Sequence, residues 1–212
     1  MKDKNSLTLS GLRYSFSERT LWENLNLNAE SGDFIALCGH SGSGKTTLLQ
    51  CLGSLEKPSA GTIDFNGINP SKLKGKAKQN FLRKTVSLAF QNSGLVASWT
   101  VRKNLDLAGY EVKKDQARAE ATFAHFDLDY SFLDKPVYQL SGGEQQRVGL
   151  IRLALRDTPL VLLDEPTAAL DDDNTQRVIS FVQEHCDKGG IAVIATHDAR
   201  LLQYASSSVT LG

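Results

Sequence analysis

The chain lacks the features that mark secreted and membrane-spanning proteins. Only three of its 212 residues are cysteines, and the spacing of Cys38, Cys51 and Cys186 fits neither a metal site nor a redox pair. We expect buried, reduced thiols at Cys38 and Cys51. Residues 1–5 contain no apolar signal segment, and no run of about 18 apolar residues is present to span a bilayer. The expected location is therefore the cytoplasm.

An excess of charge of one sign is also absent. Lysine and arginine together number 24, as do aspartate and glutamate, so no net field would attract nucleic acid or an anionic membrane surface. Nucleic acid is therefore not an expected partner. With 41% hydrophobic and 23% charged residues and no internal repeat, the composition is typical of one globular domain.

A glycine-rich segment at residues 39–46 reads Gly-His-Ser-Gly-Ser-Gly-Lys-Thr and fits the pattern G-x-x-x-x-G-K-[ST]. In that pattern backbone amides surround phosphate groups, the lysine reaches the β and γ phosphates, and the hydroxyl holds magnesium. A short apolar strand before the segment and a helical stretch after it support this interpretation over a plain Gly/Ser turn. The candidate phosphate-binding residues are Gly39, Ser41, Gly42, Ser43, Gly44, Lys45, Thr46 and Thr47.

A pair of carboxylates follows the apolar run at residues 159–163, which is typical of a strand buried on both faces. Asp164 and Glu165 would lie at the carboxyl end of this strand, where open parallel sheets bind ligands. Asp164 suits a magnesium shell, and Glu165 is placed to accept a proton from an attacking water. The alternative is a capping pair before the turn at Pro166.

The most specific stretch is Leu-Ser-Gly-Gly-Glu-Gln-Gln-Arg at residues 140–147. Ser141 and Glu144 have the spacing of a capping box, which predicts a helix over residues 145–155. A cap does not need two consecutive glycines. The bare amides of Gly142 and Gly143 at a positive helix end predict a second phosphate-binding surface.

These motifs and their order resemble the ATP-binding cassette (ABC) ATPase family, over nearly all of the chain from about Leu7 onward. The resemblance implies an α/β fold of the P-loop NTPase, ABC ATPase type, with a mixed sheet core, an antiparallel β subdomain and an inserted helical subdomain. One domain would span residues 1–212, with the helical subdomain at about 92–157. Helices are predicted within it from the cap at Thr100 to about residue 107 and over 114–126.

The resemblance also implies further site residues. Tyr14 resembles the aromatic residue that stacks on adenine, with Phe16 as the alternative. Gln91 resembles the glutamine that senses magnesium and the transmembrane partner. Asp171, after Leu170, resembles the dimer-contact residue, and His197 resembles the histidine that contacts the γ-phosphate.

The cofactors implied by the resemblance are ATP and Mg²⁺. The implied metal ligands are Thr46, Gln91 and Asp164, and the implied catalytic residues are Glu165 and His197. Two chains would form a homodimer on binding ATP, each presenting residues 141–143 to the triphosphate held by its partner.

The function implied by the resemblance is that of the ATP-hydrolysing motor subunit of a bacterial ABC transporter, an exporter or extrusion-type system. Separate transmembrane permease subunits would hold the chain at the cytoplasmic side of the plasma membrane. Leu95, Val96 and Trp99 are candidates for contact with such a subunit, with local packing as the alternative. Residues 90–92 and 100–105 are most similar to the lipoprotein-release, macrolide-export and bacteriocin-export branch.

Two other functions use the same ATPase motifs. A cassette ATPase can act on a membrane partner without transport, as cell-division and mechanotransmitting relatives do. A cassette acting on DNA, ribosomes or cluster assembly fits less well, because DNA-repair cassettes carry a long coiled-coil insertion and translation-factor cassettes carry two ATPase domains. The sequence does not predict the transported molecule, because a different subunit would bind it.

Overall fold

The computed structural model describes residues 4–17, 19–90, 94–168 and 170–212. Within these ranges eight strands form two sheets, and seven α-helices accompany them. The strands are β1 (Ser6–Phe16), β2 (Arg19–Glu30), β3 (Phe34–Cys38), β4 (Ala60–Phe65), β5 (Val86–Ala89), β6 (Leu160–Asp164), β7 (Ile191–Ala195) and β8 (Ser207–Thr210). The helices are α1 (Lys45–Leu52), α2 (Gly75–Lys84), α3 (Val101–Leu107), α4 (Gln116–His125), α5 (Gly142–Arg156), α6 (Asp172–Asp187) and α7 (Ala199–Leu202).

The larger sheet has the strand order β5-β6-β7-β3-β8, and its paired strands in the described residues are parallel. Every residue of β6 and β7 is buried, as expected for apolar runs covered on both faces. In register, Ala195 pairs with both Asp164 and Leu37. The ends of β6 and β7 therefore lie beside the loop that leaves β3, at the edge where the sequence predicts a ligand site.

The smaller sheet is antiparallel and has the order β2-β1-β4. Leu7, Leu9 and Leu12 of β1 are buried and share an apolar core with Leu48 and Leu49 of α1. The structure thus contains both parallel and antiparallel strand pairs, in agreement with the predicted α/β fold and its antiparallel β subdomain. The two kinds of pair occupy separate sheets.

Between β5 and β6, helices α3 to α5 pack around a second core that includes Phe123 and Val148. Thr100 caps α3, because its hydroxyl accepts a hydrogen bond from Lys103 N at 3.2 Å, and this cap confirms the prediction. Helix α4 is shorter than the predicted 114–126. Asp115 caps its first turn, and residues 112–114 form a separate 3₁₀ turn.

The three cysteines are free. Cys51 is buried in the core, and this burial raises the pKa of its thiol to about 12. Cys38 is only half-buried at the carboxyl end of the inner strand β3, so the predicted burial is confirmed for Cys51 but not fully for Cys38. In the described part of the chain no helix is both long and apolar enough to cross a membrane.

Candidate active site

The predicted phosphate-binding loop, residues 39–46, joins β3 to α1 at the carboxyl edge of the parallel sheet, and its backbone path requires glycine at two positions. Gly39 has a φ of 141°, and a Cβ there would lie 2.3 Å from the carbonyl oxygen of Leu211. Gly44 has a φ of 94°, and a Cβ there would lie 2.7 Å from the indole nitrogen of Trp22. A larger residue fits at neither position, so these glycines set the tight turn that leads into the amino end of α1.

A cleft of about 800 Å³ lies over this loop. Lys45 Nζ donates hydrogen bonds to the carbonyl oxygens of Gly39 at 2.8 Å and His40 at 3.1 Å, which holds its charge inside the loop. Ser43, which is also predicted to bind phosphate, is buried and does not line the cleft. The predicted site residues that line the cleft are Gly39, Ser41, Gly42, Gly44, Lys45, Thr46, Thr47, Asp164, Glu165 and His197.

Thr46 and Asp164 meet in this cleft, although 118 positions separate them in sequence. Thr46 Oγ1 donates a hydrogen bond to Asp164 Oδ2 at 2.6 Å. Burial raises the pKa of Asp164, while the bond from Thr46 and the nearby Lys45 charge act in the opposite direction. A hydroxyl and a carboxylate are the hard oxygen donors that Mg²⁺ prefers, so the pair fits the predicted metal.

Glu165 and His197 form the second pair in the cleft. Glu165 has a φ of 49°, a left-handed conformation uncommon for a residue other than glycine, and its amide donates to Ala195 O at 2.8 Å. His197 Nδ1 lies 2.9 Å from the Glu165 carboxylate. The Glu165 side chain is 16% exposed and that of His197 is 80% exposed. A carboxylate held in this way can accept a proton from a water molecule in the cleft.

The Ser141 segment forms the predicted capping box. Ser141 Oγ accepts a hydrogen bond from Glu144 N at 3.3 Å, and Glu144 accepts one from Ser141 N at 2.7 Å, which lowers the pKa of Glu144. Ser141 and Gly142 are exposed and do not line the cleft of their own chain. A Cβ at Gly142 would meet no atom within 4 Å. Packing within the chain therefore does not explain this glycine.

Asp171 also lies outside the cleft. It caps α6 by accepting hydrogen bonds from Asn174 N at 2.8 Å and Asn174 Nδ2 at 2.9 Å, and the backbone bond is the main reason that its pKa is lowered. Most of the predicted site residues thus belong to a group inside the cleft or to a surface group formed by 141–143 and Asp171.

The two aromatic candidates have different surroundings. The Tyr14 ring packs on Trp22, with 5.7 Å between ring centroids, and it does not line the cleft. Phe16 is 73% exposed at the end of β1, where it pairs with Arg19 of β2. Arg19 Nη2 donates to the carbonyl oxygen of Gly42 at 3.3 Å, which ties this end of the hairpin to the phosphate-binding loop. Neither ring lines the cleft, and of the two Phe16 is the more exposed.

Gln91 lies outside the described residues. The apolar segment at residues 95–99 is held by the buried Asn104 of α3. The Asn104 side chain accepts a hydrogen bond from Val96 N at 2.8 Å and donates one to Val96 O at 3.2 Å. Leu95 packs against the helical core, and the Val96 side chain is exposed. Trp99 is half-buried, with Lys103 Nζ 4.1 Å from its ring centroid. The three apolar candidates thus combine local packing with surface exposure.

Two contacts beside Glu165 have no counterpart in the sequence-based predictions. Gln146 Nε2 donates to Pro166 O at 2.5 Å, and Thr167 Oγ1 donates to Asp198 Oδ2 at 2.9 Å. Each contact joins segments that only the strand order and the helix packing bring together. No residue spacing marks them in the sequence.

The fold and the loop define a P-loop nucleotide-binding protein. The chain belongs to the ABC transporter family, whose sequence pattern matches residues 22–168, and the predicted family is confirmed. An uncharacterized ABC transporter ATP-binding protein of Mycobacterium tuberculosis is 39% identical over 191 residues, which cover 88% of this chain and 58% of the relative. The chain thus spans little more than half the length of that relative.

Other relatives have more specific names. The macrolide export ATP-binding/permease protein MacB of Campylobacter jejuni is 34% identical over 206 residues, covering 96% of this chain and 32% of MacB. A putative hemin import ATP-binding protein, HrtA of Staphylococcus haemolyticus, is 36% identical over 193 residues, covering 89% of this chain and 87% of HrtA. The MacB similarity agrees with the branch that the sequence predicts.

The fold is also that of solved cassettes. A dimeric structure of the ATP-binding cassette MJ0796 in a post-hydrolysis state, bound to ADP and Pi, superposes with a TM-score of 0.88 at 27% identity. The match covers 97% of this chain and 94% of the MJ0796 chain. The predicted ABC ATPase fold is confirmed.

Proposed function

We propose that this chain is the ATP-binding and ATP-hydrolysing motor subunit of a bacterial ABC transporter, of the exporter or extrusion type. The observation that carries the proposal is the cleft in which Lys45, the Thr46–Asp164 pair and the Glu165–His197 pair converge. Transport is supported by the names of MacB and HrtA, which refer to macrolide export and hemin import.

In this proposal the amides of residues 39–47 and the Lys45 ammonium bind the triphosphate of ATP. Thr46 and Asp164 hold Mg²⁺, with Gln91 as a third ligand. When bound, the metal supplies positive charge that offsets the charge of the β and γ phosphates. Phe16 stacks on the adenine, in place of Tyr14, because its ring is exposed at the hairpin end that Arg19 ties to the loop.

Glu165 is the general base in the proposed reaction. Its carboxylate takes a proton from the water that attacks the γ-phosphate. His197 contacts the γ-phosphate and orients Glu165 through the 2.9 Å contact between the two side chains. Removal of a positioned general base costs about 10²- to 10⁴-fold in rate, or roughly 3 to 5 kcal/mol of activation free energy.

The surface group at 141–143 and Asp171 supports a head-to-tail homodimer. These residues do not line the cleft of their own chain, and Gly142 has open space where a side chain would be. We propose that they face the triphosphate held by the partner, so that two chains enclose two ATP molecules in equivalent sites. The dimeric structure of MJ0796, bound to ADP and Pi, is a precedent for a dimer in a cassette of the same fold.

The proposed partners in the membrane are separate transmembrane permease subunits. The Leu95–Trp99 segment is the candidate contact, because it combines the exposed Val96 with the half-buried Trp99. The chain would then be a peripheral protein at the cytoplasmic side of the plasma membrane. A cassette ATPase that acts on a membrane partner without transport is the alternative, and identification of the membrane protein that copurifies would distinguish the two.

The dimer proposal is tested with a Glu165→Gln chain, in which ATP should stay bound. With saturating MgATP, light scattering should give the mass of a dimer at high micromolar concentration. Adding Ser141→Arg should abolish this dimer while the monomer still binds ATP, because Ser141 is outside its own cleft. Adding Lys45→Ala should abolish both dimer and binding. Ser131→Arg, at an exposed serine of the helical region, is the matched control and should leave the dimer intact.

A Glu165→Gln chain that stays monomeric under these conditions would contradict the sandwich. Unimpaired ATP turnover in the same chain would show that Glu165 is not the base.

A further inference from the structure

Glu165 follows β6 and His197 follows β7. Three polar contacts connect the ends of these two strands and the segments that follow them. Glu165 N donates to Ala195 O at 2.8 Å, and the Glu165 carboxylate lies 2.9 Å from His197 Nδ1. The third contact is the hydrogen bond from Thr167 Oγ1 to Asp198 Oδ2 at 2.9 Å. Neither Thr167 nor Asp198 lines the cleft. Their hydrogen bond therefore connects the two segments outside the cleft that Glu165 and His197 line.

Asp198 is held as a fixed acceptor for this bond. Arg200 donates to it from Nη2 at 2.7 Å and from Nε at 2.9 Å, and this is the main reason that the pKa of Asp198 is lowered to about 2. Thr167 is buried, so its hydroxyl depends on Asp198 as a protein partner. Arg200 also contacts Asp172, in the first turn of α6 directly after Asp171.

Packing alone does not fix the Glu165–His197 geometry. The imidazole is 80% exposed, and Glu165 adopts the uncommon left-handed backbone conformation. A firm bond between the neighbouring residues limits how the two segments can slide past each other. We propose that Thr167 and Asp198 are positioning residues that keep the Glu165 carboxylate and the His197 ring in register. This inference rests on the proposed catalytic roles of Glu165 and His197.

The test uses Thr167→Val, which removes the hydroxyl with little change of shape, and Thr167→Ser, which restores it. Thr175→Val is the matched control, because Thr175 is also buried but its hydroxyl has no hydrogen-bond partner among the described residues. Thr167→Val should lower kcat at least about tenfold, equivalent to about 1.4 kcal/mol. ATP affinity should match that of Thr175→Val. Thr167→Ser should recover most of the lost kcat.

A second readout follows the histidine ring directly. Correlation spectra of ¹⁵N-labelled imidazoles, with the His197 signal assigned by its loss in His197→Ala, should show a displaced His197 signal in Thr167→Val. The signal should stay in place in Thr175→Val. Asp198→Asn should displace it in the same direction and lower kcat, because an amide cannot replace the ionised acceptor that Arg200 holds.

Wild-type kcat together with an unshifted His197 signal in Thr167→Val would overturn the positioning role. A drop in kcat that Thr167→Ser does not reverse, accompanied by lower ATP affinity or a lower melting temperature, would also overturn it and indicate a purely structural role. The proposed function is tested separately by Glu165→Gln and His197→Ala. If these lose turnover while Thr167→Val keeps wild-type kcat and an unshifted His197 signal, only the positioning role fails.

Discussion

Truncation of Phe16 should weaken ATP binding without weakening the fold. The ring is 73% exposed, and exposed substitutions usually change stability by no more than about 0.5 kcal/mol. Stacking of a base on an aromatic side chain is worth about 1–3 kcal/mol by alanine substitution. A loss of that size corresponds to about 5- to 150-fold in affinity. Phe16→Ala should therefore bind ATP more weakly by a factor in this range, at an unchanged melting temperature.

Tyr14→Ala is the informative comparison. The Tyr14 ring packs on Trp22 within the antiparallel sheet, and such an aromatic pair contributes about 0.5–1.5 kcal/mol beyond the area that it buries. Removing it should lower the melting temperature by several degrees. The affinity of the folded protein for ATP should change little, because the Tyr14 ring is packed on Trp22 rather than free to stack on a base.

Isothermal titration with ATP and with inorganic tripolyphosphate separates base stacking from phosphate binding. Phe16→Ala should lose affinity for ATP only, since tripolyphosphate has no base to stack. Lys45→Ala should lose affinity for both ligands. If Phe16→Ala binds ATP like the wild type, and Tyr14→Ala binds it weakly at normal stability, the reasoning from exposure is wrong and Tyr14 is the adenine contact.

Three further predictions concern other parts of the chain. His197→Ala should reduce ATP turnover strongly and leave ADP affinity unchanged, because the ring contacts the Glu165 carboxylate at 2.9 Å; a large loss of ADP affinity in titration would indicate a structural role. Trp99→Ala should lower the melting temperature less than Leu105→Ala, because Trp99 is half-buried and Leu105 is fully buried; an equal or larger drop would make Trp99 a core residue and remove it from the membrane contact. Burial lowers the pKa of His185, so protons bind more readily to the unfolded chain, and unfolding free energy should fall as the pH drops below about 6.5. His185→Gln should make urea denaturation less dependent on pH over this range, and an unchanged dependence would contradict the assignment.

Local contacts explain what could be predicted from the sequence. The phosphate-binding loop, the capping box at Ser141 and the cap at Thr100 each involve residues within one short segment, so their spacing carries the information. The buried strands β6 and β7 are continuous apolar runs, which also need no knowledge of distant neighbours. The family and the fold followed from these segments and their order.

Other features of the chain depend on choices that local sequence does not make. Tyr14 and Phe16 are two positions apart on one strand, and only the packing of Trp22 and the position of Arg19 beside the loop distinguish a packed ring from a free one. The helical pattern predicts a helix from residue 114, but α4 begins at Gln116 because the Asp115 side chain caps its first turn.

The sequence by itself determined the family, the position of the glycine-rich loop between β3 and α1, and which carboxylates lie at the carboxyl edge of the parallel sheet. Only the tertiary structure decided how they meet. Thr46 joins Asp164 across 118 positions, and His197 reaches Glu165 across 32, because parallel strands β3, β6 and β7 bring their carboxyl ends to one edge. The same packing leaves residues 141–143 outside the cleft of their own chain. Contacts of this kind depend on strand order and side-chain burial, which residue spacing along one chain does not record.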